Sequence, residues 1–407
     1  MITEKKLSNG ITVVMEQLPY VQSAAIGVWA RAGAVDEVEH AGISHYIEHM
    51  MFKGTKNRTA KEIAEDIDKI GGSMNAFTGK EATCYYIKTL ATHLDDSIEV
   101  LSDMFNNSLF DPEEMEKEKK VVLEEMKMVE DSPEDLGHDL LSESVFKGGS
   151  LGNSVIGTKE SVTSISRDDI LNYLGRRYIS ENMVISVAGN IDENEVIKQL
   201  EDGFSGITCG LEERKPIITE FKPEIVSRKK DIEQTHLFFG RKGTALDSDD
   251  YFAYLLYNSI LGGSMSSRLF QNVREDKGLA YSVYSMKSSY VNEGIFTIYA
   301  AVGSDKEADA SKAIDEELRK IADEGITEEE LDKVKEQSKG HYIFGQESVG
   351  TRMFSIGRNT LLLGKTFTAE EIMDGINLVQ QDDIIRIAKQ NADLSAYTKV
   401  KINKDEE

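Results

Sequence analysis

Hydrophobic positions along the chain recur now every second residue and now every third or fourth, and each change of period marks an element. Residues 6–14 (KLSNGITVV) set an Asn-Gly turn between two strand-like runs, a strong short-range signal for a hairpin. Residues 23–31 (SAAIGVWAR) read as a further strand, and from about Gly42 to Phe52 the period lengthens to that of a helix. Thr59-Ala60-Lys61-Glu62 has the form of a capping box and opens a helix that runs to Ile70, where Gly71-Gly72 stops it. Residues 75–90 alternate as a strand. Helices are expected from about Leu94, from Pro112 and from Pro133, followed by a strand over 182–189 and a helix ending near Phe204.

Residues 205–230 lose this regularity and carry Pro216 and Pro223, which sets a domain boundary there. The expected organisation is therefore a first half over 1–205, a linker over 206–230 and a second half over 231–407. Beyond the linker the order begins again. A strand over 235–241 leads to helices over 248–261 and 266–277, strands over 281–289 and 294–302, and two long acidic helices. Arg31-x-Gly33 and Arg241-x-Gly243 mark comparable points, so the chain reads as an α+β unit of roughly 200 residues present twice.

Composition narrows the classes. With 407 residues, 40% of them hydrophobic, the chain can bury a sizeable core in two or three domains. A net charge of −25 repels phosphate backbones and anionic lipid, so neither nucleic acid nor a membrane is an expected partner. Cys84 and Cys209 lie far apart, which rules out a disulfide framework and a cysteine-built zinc site. No apolar leader opens the sequence and no run of about 18 apolar residues interrupts it, so the expected location is cytoplasmic.

The strongest chemical signal is His45-Tyr46-Ile47-Glu48-His49. Imidazoles one helical turn apart share a face and can chelate one cation. Glu48 points to the same face, where a carboxylate beside a metal-bound water can act as general base. This is the inverted H-x-x-E-H order. Two histidines leave a catalytic zinc one protein ligand short. The helix from Pro112 can supply it, because Glu118, Val122, Glu125 and Val129 fall on one stripe; Glu124, rotated about 100° away, is the rival. At the matching offset the second half carries Leu255, Asn258 and Ser259, so only the first half can hold metal.

The words GISHYIEHMMFKGT at 42–55, GGSMNAFT at 71–78 and VVLEEM at 121–126 resemble the pitrilysin family of metallopeptidases. The likeness is to its short-chain branch, akin to the mitochondrial processing peptidase β subunit and its bacterial relatives. It runs through essentially the whole chain and is strongest over residues 1–130. It implies two homologous α/β-sandwich halves, each a mainly antiparallel sheet covered by helices. It implies one Zn2+ per chain on His45, His49 and Glu125, with Glu48 as base and Glu118 orienting a histidine from behind. Asn75, Ala76 and Phe77 are expected on an exposed strand edge that pairs with substrate peptide. Arg274 and Tyr281 match a pair that contacts substrate in larger relatives, Tyr281 as an oxyanion donor.

Those relatives close a chamber from about four such units, whereas this chain supplies two. The resemblance therefore implies a clam-shell dimer acting on peptides or unfolded segments. A homodimer is the first expectation, and a heterodimer with a metal-free homologue the second. A non-catalytic structural or assembly subunit of the same fold is the alternative from another class, which the intact ligand set opposes. Manganese or cobalt suits the same ligands as zinc.

Overall fold

The computed structural model describes residues 2–404, which divide into two compact units. Of these, the first comprises residues 2–127, 153–216 and 344–367, and the second 128–152, 217–343 and 368–404.

The first unit is built on a six-stranded sheet in the order β1-β2-β6-β3-β5-β4. Its strands are β1 (Ile2–Lys6), β2 (Thr12–Gln17), β3 (Ser23–Ala30), β4 (Ser73–Thr78), β5 (Thr83–Leu90) and β6 (Met183–Gly189). Only β2 and β6 run parallel; the other neighbours are antiparallel. β3 and β6 lie centrally and are apolar at nearly every position, as strands covered on both faces must be. Their Ser186 hydroxyl is satisfied by the Trp29 indole N–H at 2.8 Å. The Asn-Gly turn joins β1 to β2 as expected, with Gly10 at φ +100°. Residues 75–90 are not one strand. Gly79 donates its N–H to Ala82 and turns the chain, so β4 and β5 form a hairpin with β4 at the sheet edge.

The helices of the first half are α1 (Ile43–Met51), α2 (Ala60–Lys69), α3 (Leu94–Asn107), α4 (Pro112–Asp131), α5 (Pro133–Val145), α6 (Lys159–Ser164), α7 (Arg167–Arg177) and α8 (Glu193–Phe204). The capping box opens α2: the Thr59 N–H reaches Glu62 Oε2 at 2.8 Å, and the Glu62 N–H reaches Thr59 Oγ1 at 3.2 Å.

The second unit has five strands in the order β7-β11-β8-β10-β9. They are β7 (Ile225–Lys230), which closes the stretch expected as linker, β8 (Gln234–Gly243), β9 (Ala280–Ser289), β10 (Gly294–Gly303) and β11 (Thr398–Lys404). The helices of the second half of the chain are α9 (Tyr251–Leu261), α10 (Glu307–Glu324), α11 (Glu328–Gln346), α12 (Val349–Leu363), α13 (Ala369–Leu378) and α14 (Gln381–Asn391). Where a second helix was expected over 266–277 the chain forms a π-helical segment, Phe270–Asp276.

The duplication is plain in topology. Each sheet holds one parallel pair, β2–β6 and β7–β11, and each ends in a hairpin, β4–β5 and β9–β10. Two helices, however, are exchanged. α12 lies on the first sheet, where a Cβ at Gly27 would sit 2.4 Å from the Met353 sulfur. α5 lies on the second sheet, where a Cβ at Gly137 would sit 2.1 Å from the Phe238 ring. Glycine at these positions lets helix and sheet approach closely. The compact units therefore do not match a single cut in the chain.

Candidate metal centre

α1 is tied to the rest of the first unit at its N-terminus and at Tyr46. Gly42, its N-cap, has no side chain to offer, and the buried Glu37 carboxylate serves instead. It accepts the Gly42 N–H at 2.6 Å and the Ser44 N–H at 3.0 Å. Burial, with Asp36 adding, pushes the Glu37 carboxyl up to about 7. The Tyr46 hydroxyl donates to the Met115 carbonyl at 2.7 Å and so ties α1 to α4. That bond sets the two helices in the register that brings Glu118 and Glu125 up to the histidines.

His45 and His49 face each other with ring centroids 4.6 Å apart. Glu125 Oε2 lies 3.7 Å from His45 Nε2 and 3.5 Å from His49 Nε2. A tetrahedral cation with ligands at about 2.0–2.1 Å needs donors about 3.4 Å apart. The three donors also lie within 4.8 Å of one another, and no other His, Cys, Asp and Glu side chains converge this way among the described residues. Glu125 Oε2 is buried without a hydrogen-bond partner, as is His45 Nδ1. A shielded carboxylate oxygen aimed between two imidazoles suits the ligation of a divalent cation. Glu124 is not part of it, because its side chain is exposed and paired with Lys127 at 2.6 Å.

Behind His49 stands the expected carboxylate. Glu118 Oε1 is 2.8 Å from His49 Nδ1, and its Oε2 is 2.6 Å from Lys53 Nζ. With Nδ1 donating to Glu118, His49 presents the lone pair of Nε2 toward Glu125. Burial alone would raise the Glu118 carboxyl, but the bonds from His49 and Lys53 hold it below the usual range. Burial works to lower His49, and Glu118, Glu125 and Glu48 together outweigh it and raise it. Burial, then His49, brings His45 down to about 4, which keeps it neutral at pH 7 as a ligand must be.

Glu48 shares the face of the histidines and accepts the Thr78 hydroxyl at 2.5 Å. Burial lifts its carboxyl, and the Thr78 bond opposes the lift. Asn75, Ala76 and Phe77 lie on β4, the open edge of the sheet. The Ala76 N–H points off that edge and is met at 2.8 Å by the Asn75 side-chain oxygen. Phe77 joins Trp29, Tyr86 and Phe354 in an aromatic group, with centroids 5.7 Å, 6.4 Å and 5.8 Å away.

Arg274 and Tyr281 meet within the second unit. The guanidinium lies 4.7 Å from the Phe270 ring centroid and 5.9 Å from that of Tyr281, whose side chain is 74% exposed. Leu255, Asn258 and Ser259 sit on α9, and two are satisfied locally: Ser259 donates to the Leu255 carbonyl, and Asn258 Oδ1 accepts from Ser285.

Lys53, Tyr46 and Thr78 belong to the site's support and were not expected in it. All three fall within or beside the sequence words that mark the centre, but their partners are 30 or more positions away in sequence. No local pattern announces such partners.

Fold and donor set define a two-unit α+β protein in which His45, His49 and Glu125 of one unit could hold a metal ion. Comparison with known proteins agrees. Residues 12–159 match the insulinase family (peptidase family M16), and residues 164–338 match the peptidase M16 inactive domain. An uncharacterised zinc protease of Bacillus subtilis, YmxG, is 46% identical over 396 residues, spanning 96% of this chain and 95% of that protein. An uncharacterised zinc protease of Rickettsia bellii is 38% identical across 97% of this chain and 96% of that protein. A protease from Helicobacter pylori superposes with a TM-score of 0.92 over 99% of both chains at 23% identity, which speaks to the fold. The chain belongs to the M16, or pitrilysin, family of zinc peptidases, in its short-chain branch.

Proposed function

We propose that this chain is a zinc-dependent endopeptidase of the inverted HxxEH type. The observation that carries the reading is the unpartnered Glu125 oxygen, 3.7 Å and 3.5 Å from the Nε2 atoms of His45 and His49. A divalent cation held by these three residues supplies a Lewis acid that acidifies water and polarises a carbonyl. Glu48, on the same helix face, takes the proton of the attacking water and returns it to the leaving amine. β4 pairs its open edge with the peptide backbone, a contact indifferent to most side chains, so the substrates are peptides or unfolded segments of varied sequence.

Arg274 and Tyr281 are proposed to reach the centre of a second copy of the chain, Tyr281 donating to the developing oxyanion and Arg274 holding the backbone. The dimer so formed is a closed chamber with a metal centre in each chain.

Glu48→Gln tests the reading. It should keep one zinc per chain while turnover falls by at least about three orders of magnitude, the loss expected when a general base and its share of electrostatic stabilisation go together. Wild-type rates of peptide cleavage by that variant would end the mechanism. For the dimer, mixing Glu48→Gln with Tyr281→Phe chains should restore part of the activity by forming one intact hybrid site; no recovery after proven exchange speaks against action between copies.

A further inference from the structure

We infer that Thr78 couples the peptide-pairing edge to the general base, so that one residue sets the register of both. The inference rests on the peptidase reading above and names a positioning residue for it. Two features of Thr78 carry it.

The first is its side chain. Thr78 Oγ1 donates to Glu48 Oε2 at 2.5 Å. The hydroxyl is itself held from behind. Thr83, fully buried on β5 opposite Thr78, donates to the Ala32 carbonyl at 2.9 Å and lies 3.4 Å from Thr78 Oγ1. A β-branched side chain in a strand has few rotamers to choose from, so the donor is fixed by β4 itself.

The second is its backbone. In an antiparallel ladder, residues alternate between pairs that exchange both hydrogen bonds and pairs that exchange none. The Ala76 N–H bonds to a side chain and not to β5, while the Gly79 N–H bonds inward to Ala82. Odd-numbered positions of β4 therefore bond to β5, and Ala76 and Thr78 turn their N–H and C=O groups to the open edge. A peptide added there hydrogen-bonds to the residue whose hydroxyl holds Glu48. Slipping the peptide by one residue would break that pairing, so backbone register and base orientation are set by one strand.

A purely structural role for the hydroxyl, as a satisfied polar group at a hairpin end, makes different predictions. With zinc-loaded protein and a quenched fluorogenic peptide selected by wild-type cleavage from a mixed-sequence pool, Thr78→Val should lower kcat about 10- to 100-fold. KM should stay within about threefold, because β4 still offers the same backbone groups. Zinc content should be unchanged. Thr78→Ser, which restores the donor, should return kcat to within about threefold of wild type. In the Glu48→Gln background, adding Thr78→Val should leave the affinity for the same peptide unaltered. Wild-type kcat in Thr78→Val overturns the inference, as do equal losses in the Val and Ser variants or loss of zinc from both. If the zinc-loaded wild-type chain cleaves no peptide, the peptidase reading falls and this inference with it. If wild type cleaves and Thr78→Val is unimpaired, only the coupling falls.

Discussion

α1 and α9 occupy corresponding places in two units of the same topology, and they have been put to opposite uses. α1 turns two imidazoles and a carboxylate inward and needs outside help to keep them there: Glu37 at its N-terminus, Glu118 and Lys53 behind His49, Tyr46 bonded across to α4. α9 presents Leu255, Asn258 and Ser259 at the comparable positions, and the Asn258 and Ser259 side chains are satisfied by its own turn and by Ser285. The difference shows what a metal centre demands of a fold. Buried ionisable groups cost desolvation unless each is partnered, and the partners come from elements distant in sequence. Once the ligands are absent, local bonds suffice and the support is not needed.

The sharpest way to break the comparison is to convert one helix into the other. The triple change His45→Leu, Glu48→Asn, His49→Ser should abolish zinc binding and lower turnover by at least about three orders of magnitude. Calorimetry in chelator should find this variant less stable than the metal-free wild type, because the change strips Glu118 of its bond from His49 and Thr78 of its acceptor on Glu48. Equal stability would mean that α1 is held by its packing and not by these bonds.

Glu118→Gln tests the support behind His49. It should weaken zinc affinity by about 10- to 100-fold, measured by competition with a chelator. Asn258→Ala on α9 should leave zinc affinity unchanged.

Two tyrosines give a contrast in stability alone. Tyr46→Phe strands the Met115 carbonyl and should cost about 1–3 kcal/mol in denaturant unfolding. The Tyr257 hydroxyl on α9 is buried without a partner, so Tyr257→Phe should be neutral or stabilising. Reversed outcomes would show that the hydrogen bonds assigned to these helices are misplaced.

The last contrast concerns the helix N-termini and pH. Glu37, raised to about 7, keeps in the folded state a proton that an unfolded glutamate loses near pH 4.3. Between about pH 4 and 7 the folded protein binds more protons at this site, so its contribution to stability falls as pH rises through that window and levels off above it. Glu37→Gln should remove that part of the slope in unfolding midpoints measured from pH 4.5 to 7.5. At the start of α9 the acidic residue Asp250 instead pairs with Arg386 at 2.8 Å.

Much of this was legible in sequence because it is local. The i, i+3, i+4 spacing of His45, Glu48 and His49 fixes their common face, and the stripe through Glu118 and Glu125 survives as the inward face of α4. Glu124 was the open question, resolved by its exposure and its pairing with Lys127. The hairpin at Gly79–Ala82 was read through as one strand, because alternation continues on both sides of a turn that lacks proline or an Asn-Gly pair. The final strand β11 was missed altogether: its alternation is regular, but only Val400 and Ile402 mark the apolar face. Nor could periodicity assign α5 and α12 to their sheets: an apolar stripe says that a helix is covered, not by what.

The exchange of α5 and α12 also bears on how the chain is made. During synthesis the face of the first sheet that carries Trp29 and Gly27 has no cover until residues near Leu363 have left the ribosome. A gene cut at the linker would give two fragments, each with a sheet bared on one side and a helix with nowhere to dock. Such fragments should aggregate singly and become soluble only when produced together.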